Sequence, residues 1–400
     1  MKRLLCVLVP LALAACVTPV SHNNQIDFVS AESPSGAMAL LPLLDADAGA
    51  DKNVVYSPAS VDQAFGLLRL GAKADTAAEL DRILPAPANA DFLRSDKDDV
   101  EVRLANALFL SKDFDFNRAF VSAAKSRYDA TTQAVDFEAP EATSDTINAW
   151  ADEATDGLIP KVMAPEAIKP EMIAVLANAL YFDGKWETKL TGGDKRKFLF
   201  GDGSEKDFVF VGKVLSLKAA KIDGWQAVRL PYSNDRYAMD VIMPDQRRVM
   251  DEALSPARIA KFGNALDTAE AQLTDLLIPQ FEVDYETSLI APLKALGLIA
   301  PFTDGMADLS GLAESGQRNI IVSDARHVTK LQVFDVGTRA AAVTTISIIL
   351  TAGRVFETPP VPFHADRPFM FVIRDLETDT ILFVGRIADP QEFTPEVEEY

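Results

Sequence analysis

Ser122 and Lys125 stand three positions apart in the run Ser122-Ala123-Ala124-Lys125. At that spacing on a helix a lysine amine lies one turn from a serine hydroxyl and can take its proton, which is how a Ser-x-x-Lys nucleophile is activated. The Lys-Thr-Gly element that accompanies such a nucleophile is missing and the segment reads as a surface helix, so hydrolysis at Ser122 is not expected. The three histidines, His22, His327 and His364, lie far apart and form neither an HExxH pair nor a Cys/His cluster, so no metal site is expected. No phosphate loop or dinucleotide fingerprint occurs, and no cofactor is expected. The chain does not read as an enzyme.

Composition narrows the partners. A hydrophobic share of 48% with 24% charged residues is ordinary for a folded protein of 400 residues, which is long enough to bury a sizeable core. The 39 basic residues against 59 acidic ones give a formal net charge of -20, which disfavours nucleic acid because binding it needs a basic face.

Lys2 and Arg3 precede the apolar run Leu4 to Leu13, a secretory-signal layout too short to span a membrane permanently. Leu13-Ala14-Ala15-Cys16 resembles the lipobox of bacterial lipoproteins. The resemblance implies cleavage after residue 15, lipidation of Cys16 and, with Val17 rather than Asp next, an anchor in the outer membrane of a Gram-negative cell. Cys6 would leave with the signal, so no disulfide is expected in the mature chain. Residues 16–36 then read as a lipidated tether, 37–390 as a single domain, and 391–400 as a tail.

Within that domain, Ser57 and Pro58 mark a helix start before Phe65, Leu68 and Leu70, with Gly71 as its stop. Ile147 to Leu158 reads as a helix halted at Asp156-Gly157, and Met172 to Phe182 as a central strand. Further strand-like runs occur at Ala238 to Met243, Leu273 to Val283, Ile320 to Val336, Phe369 to Ile373 and Ile381 to Ile387. Helices come early and strands late, the pattern of an α+β fold.

The segment DVGTRAAAVTTISIIL, from Asp335 to Leu350, is rich in strand formers yet opens on Gly337 and three alanines. It is too short and too polar at Thr344, Thr345 and Ser347 to cross a membrane, and a permanent strand is one reading of it. Downstream, Pro359, Pro360, Pro362 and Pro368 cannot join a central ladder, whereas no proline occurs from Asp335 to Thr358. The first half could enter a sheet and the second could not.

DVGTRAAA resembles the hinge of the serpins, usually Glu-x-Gly-Thr-Glu-Ala-Ala-Ala. Similar blocks run in family order from NVVYSPASVDQAFGLLRLGAKADTAAEL at 53–80, through LANALFLSKDF at 104–114, INAWADEATDGLIPKVM at 147–163 and VLANALYFDGKWETKL at 175–190. LLIPQFEVDYETSLIAPLKALGL at 276–298, ADLSGL at 307–312 and RPFMFVIRDLETDTILFVGRIADP at 367–390 complete the series. The resemblance implies a serpin fold with three β-sheets, about eight to nine helices and an exposed reactive-centre loop over about residues 337–362. It also implies a serine-type endopeptidase inhibitor acting as a suicide substrate. A protease cuts the loop, which inserts into the large sheet and carries the acyl-enzyme with it in a 1:1 covalent complex; a monomer is expected. A non-inhibitory serpin fold serving as a binding or structural module is the alternative.

On insertion, Thr338, Ala340, Ala342, Thr344, Ile346 and Ile348 would face the core, and none is charged. A strand of roughly fourteen residues would move its end by about 45 Å. The hinge comprises Asp335, Gly337, Thr338, Ala340 and Ala342; Ser57, Ser60, Asn178 and His327 align with the family's shutter cluster, and Trp186 with the tryptophan where insertion begins. Each also fits a plain structural role, as a cap, a satisfied histidine or core. The family's spacing puts the reactive bond at Thr351-Ala352, with Leu350-Thr351 or Arg354 as alternatives because the distal loop is longer than usual. An elastase-like or subtilisin-like target follows from the first, a chymotrypsin-like one from the second, and a trypsin-like one from Arg354. Two positions depart from the family. Arg339 stands where Glu is usual, and Gln280 where lysine often pairs with the hinge acid, so Asp335 is expected to lack that ion pair and the sheet to open more easily. The acid-rich run 91–103 gives no reason to expect activation by polyanions.

Overall fold

The computed structural model describes residues 36–85, 95–97, 99–246, 254–317, 320–322, 324–339 and 359–392. Seven α-helices occur among them: α1 (Leu41–Ala48), α2 (Pro58–Arg69), α3 (Ala74–Ile83), α4 (Arg118–Tyr128), α5 (Pro140–Ala154), α6 (Pro256–Thr268) and α7 (Ile290–Ala295). α2 forms as its sequence dictates. Ser57 Oγ accepts the Ser60 N–H at 3.1 Å, Pro58 fits the first turn, and Val61, Phe65 and Leu68 form the buried stripe. Past its end Gly71 is required for close packing, since a Cβ there would lie 2.3 Å from Leu312 Cδ2.

α5 starts at Pro140, ahead of the Ile147 predicted from apolar spacing. Its first turns are buried through polar groups instead. Thr143 Oγ1 donates to the Asp136 carbonyl and Ser144 Oγ to the Met163 carbonyl, both at 2.7 Å, which apolar periodicity cannot reveal. The helix ends at Ala154, and Asp156 (φ 53°) and Gly157 (φ 78°) make the predicted stop.

The strands, in chain order, are β1 (Val54–Tyr56), β2 (Ser95–Lys97), β3 (Val100–Ser111), β4 (Thr131–Val135), β5 (Ala174–Lys185), β6 (Thr191–Leu199), β7 (Glu205–Ile222) and β8 (Trp225–Pro231). They continue with β9 (Tyr237–Pro244), β10 (Ala271–Pro279), β11 (Phe281–Ser288), β12 (Arg326–Val333), β13 (Gly337–Arg339), β14 (Val361–His364), β15 (Phe369–Asp375) and β16 (Thr380–Ile387). The single strand-like run at 273–283 becomes two strands in different sheets, because Pro279 closes the ladder with β7 and Phe281 opens the ladder with β12.

A seven-stranded sheet has the order β11-β12-β13-β5-β3-β2, with β4 parallel to β3. A nine-stranded sheet runs β1-β16-β15-β9-β8-β7-β10-β14, with β6 also on β7. The long β7 joins two wings: its first half pairs with β6 and its last residues with β8. The three expected sheets are therefore present as one separate sheet and two that share a strand. Inward residues of both sheets, including Val102, Phe182, Leu331, Val241 and Phe371, interlock in one apolar cluster. The helices bury a second, with Leu41, Leu67, Leu80, Phe120, Phe262 and Leu293.

Candidate functional site

Strand β13 lies between β12 and β5 and pairs with both. Thr338 opposes Val333 on one side and Gly184 on the other; Gly337 opposes Lys185, and Arg339 opposes Gln332. Gly337 is required by proximity: a Cβ on it would stand 2.1 Å from the Gly184 carbonyl oxygen. Thr338 is fully buried, and its Oγ1 accepts the Tyr232 hydroxyl at 2.8 Å.

The turn before β13 is held by one segment. Trp186 donates its backbone N–H to the Val336 carbonyl at 2.9 Å and its indole Nε1–H to the Phe334 carbonyl at 3.0 Å. Its ring stacks on Tyr232 with centroids 4.6 Å apart and planes 15° from parallel. The Leu190 N–H donates to the Asp335 carbonyl at 2.9 Å, and Lys189 Nζ lies 3.2 Å from the Asp335 carboxylate. Asp335 thus has an ion-pair partner after all, supplied by Lys189 rather than by position 280. The expectation of a weakened sheet top does not hold on that ground.

Below β13 the two neighbours part. Among the described residues β5 pairs with β3 and β13, and β12 with β11 and β13, but β5 and β12 share no ladder of their own. A cavity of about 620 Å³ occupies this region, walled by Phe65 of α2, Trp150 of α5, Leu176 and Asn178 of β5, and His327 and Val328 of β12. Two central strands thereby present facing edges that an added strand could satisfy.

At the floor of the gap is a polar network. His327 Nε2 accepts the backbone N–H of Ser57 at 3.1 Å, so the ring proton sits on Nδ1, and the Thr329 hydroxyl lies 2.8 Å from the same Nε2. Burial holds the imidazole down at about 4. Ser60 Oγ donates to Asn178 Oδ1, Asn178 Nδ2 to Asn106 Oδ1 at 2.7 Å, and Asn106 Nδ2 to the Tyr128 carbonyl at 2.9 Å. The network joins α2, β5, β3 and the end of α4, while Ser57 binds β12 to the same helix cap.

These contacts bring together Ser57, Ser60, Asn178 and His327 in one place and Trp186, Asp335, Gly337 and Thr338 in another. Ala340, Ala342, Leu350, Thr351, Ala352, Arg354 and Cys16 lie outside the described residues. Ser122 and Lys125 are both exposed on α4.

The family model described as Serpin (serine protease inhibitor) matches residues 35–390. The chain belongs to the serpin family. Human antithrombin-III (Homo sapiens) is 30% identical over 363 residues, covering 84% of this chain and 76% of that protein. The solved structure of native protease nexin-1 with heparin is 26% identical, with a TM-score of 0.74 over 85% of this chain and 93% of its own. Thyroxine-binding globulin in complex with thyroxine shares the fold at 23% identity, with a TM-score of 0.76 over 89% and 97%. Membership in general implies protease inhibition rather than enzymatic activity, and serpins generally meet target proteases in 1:1 complexes.

Sequence reasoning missed part of this serpin's site. Asn106 had a visible signal: Leu-Ala-Asn-Ala-Leu occurs at both 104–108 and 176–180, and the two asparagines face each other across β3 and β5. A polar residue at the centre of each of two apolar strands calls for a partner. Tyr232, Thr329 and Lys189 carried no comparable mark, since only tertiary packing delivers them.

Proposed function

We propose that this serpin is a suicide-substrate inhibitor of serine proteases, and of cysteine proteases by the same route. The cleaved loop enters the gap between β5 and β12 as a new central strand. The observation that carries the reading is that Gly337–Arg339 already pair with both strands while the edges below them are unpaired with each other. Continuing that register down the gap, residue 344 would fall opposite both Asn178 and His327, and residue 348 opposite Ala174, the first residue of β5. Thr344, the next inward hydroxyl after Thr338, would then meet the polar network, while Ala340, Ala342, Ile346 and Ile348 meet apolar surroundings. Leu350-Thr351, Thr351-Ala352 and Arg354 all lie beyond the end of β5 in that count, where a cut end would emerge. An elastase-like, subtilisin-like or chymotrypsin-like enzyme suits the first two bonds.

The test is to incubate the protein with elastase, subtilisin, chymotrypsin and trypsin. An SDS-resistant 1:1 complex with at least one of them is expected, and mass spectrometry of the released C-terminal peptide gives the bond. Cleavage by all four with no complex would overturn the reading in favour of a non-inhibitory binding role. A lipid anchor at Cys16 and an outer-membrane location are part of the proposal and rest on Leu13–Cys16 and Val17 alone. Metabolic labelling with a fatty-acid analogue, compared with Cys16→Ser, tests them.

A further inference from the structure

Ala37 is fully buried and is held at both ends. Its N–H donates to Asp62 Oδ1 at 3.0 Å, and its carbonyl accepts the Tyr56 hydroxyl at 3.1 Å. Gly36, just before it, takes φ 65°, and a Cβ there would come within 3.3 Å of the same Asp62 oxygen, so the chain enters this contact in a glycine conformation. One partner of Ala37 touches the floor of the gap, and the other lies on the helix that carries Ser60. Tyr56 directly precedes the cap Ser57, and its buried ring meets the His327 imidazole edge-on, with centroids 5.1 Å apart and planes at 64°. Asp62 stands two residues after Ser60 on α2. Enclosure of this contact is strong enough that burial pushes the Asp62 carboxyl up to about 7 and the Tyr56 phenol well above its usual range.

We propose that Tyr56 and Asp62 are positioning residues for the gap. By holding Ala37 they fix the Tyr56 ring against His327, so the point where the N-terminal segment joins the domain sets how readily β5 and β12 part. The two-state element is the gap itself, and both the Ala37 contact and His327 bias it. A pull on residue 36, or a partner that displaces it, reaches the sheet through one hydroxyl and one aromatic contact. The proposal rests on the insertion reading only where loop-cleaved protein is used.

Hydrogen-deuterium exchange on the full chain tests it. Tyr56→Phe keeps the ring and removes the hydroxyl. Asp62→Leu removes the acceptor of the Ala37 N–H, and Asp62→Asn keeps one. Faster exchange by roughly fivefold to tenfold, the size of one lost neutral hydrogen bond, is expected for Tyr56→Phe and Asp62→Leu at Ala37 and also at Ala174–Ala179 and Arg326–Thr329. Asp62→Asn is expected to stay near wild type. In the loop-cleaved protein, where the gap would be filled, the same variants are expected to leave β5 and β12 at the wild-type rate, whereas a merely structural role would loosen both forms. Release of Ala37 without any change at β5 and β12 in the uncut protein overturns the proposal. If cleavage adds no protection to the wild-type gap, the insertion reading fails instead, and the uncut comparison still decides this one.

Discussion

His327 is a buried imidazole whose unprotonated Nε2 is committed to the Ser57 N–H. Its value of about 4 in the folded protein lies below the usual 6.5. The neutral ring therefore contributes stability that is complete above pH 6.5 and is lost as pH falls toward 4. The difference corresponds to roughly 3 kcal/mol. Asp62 has the opposite sign: raised to about 7, it contributes stability below pH 4 that is lost as pH rises to 7. Thermal midpoints between pH 4 and 7 separate the two, since His327→Gln is expected to remove the acid-side loss and Asp62→Asn the loss toward neutrality. A midpoint profile unchanged in His327→Gln would show that another group governs the acid limb. Thr338 supplies a test at the hinge. It is fully buried beneath Tyr232, so Thr338→Arg would force a guanidinium into a site that now holds a small hydroxyl. Cleavage by the protease is expected to continue while the covalent complex disappears from the gel.

At the scale of elements, the turn before β13 is held by contacts of unequal strength. Lys189 and Asp335 are each partly exposed, so their ion pair contributes less than about 1 kcal/mol. The Trp186 indole bond to Phe334 is buried, so losing it costs about 0.5–1.5 kcal/mol that solvent does not screen, besides the smaller ring's lost stacking on Tyr232. Exchange at Phe334–Thr338 is accordingly expected to rise little in Lys189→Ala and clearly in Trp186→Phe; equal effects would mean that the ion pair is stronger than its exposure allows. These elements were legible in the sequence to different degrees. Ser57, Pro58 and Gly71 bounded α2 because caps and stops act locally, and the apolar run at 172–182 became β5. The early turns of α5, anchored by Thr143 and Ser144, were hidden because their partners, Asp136 and Met163, lie on other segments. For the same reason the sequence led to the expectation that Asp335 would lack an ion pair, and gave no sign of Lys189 as its partner. The pairing of Asn106 with Asn178 could have been read, since a repeated word on two adjacent strands carries its own register.

Across the whole molecule, the seven-stranded sheet is, among the described residues, incomplete along β5 below Gly184, on the side that faces β12. Filling that line would add two ladders at once, so the loop-cleaved protein is expected to melt well over 10 °C above the uncut form, given that each 1 kcal/mol moves the midpoint by about 1–4 °C in large domains. Coincident melting curves would mean that the cut loop stays outside. The far end of the loop matters equally. Among the described residues β14 is an edge strand of four residues, paired with β10 and reinforced by the contact of His364 Nε2 with Asp275 at 2.9 Å. Under the insertion reading, this short edge is what keeps an uncut loop from having slack enough to slide into the sheet unaided. Each residue that frays from β10 lengthens the free loop by about 3.3 Å. On that reading the strand is a clock: the waiting time for Val361–His364 to detach would set how long inhibitory capacity lasts on storage, and a destabilised edge would shorten that lifetime with no protease present.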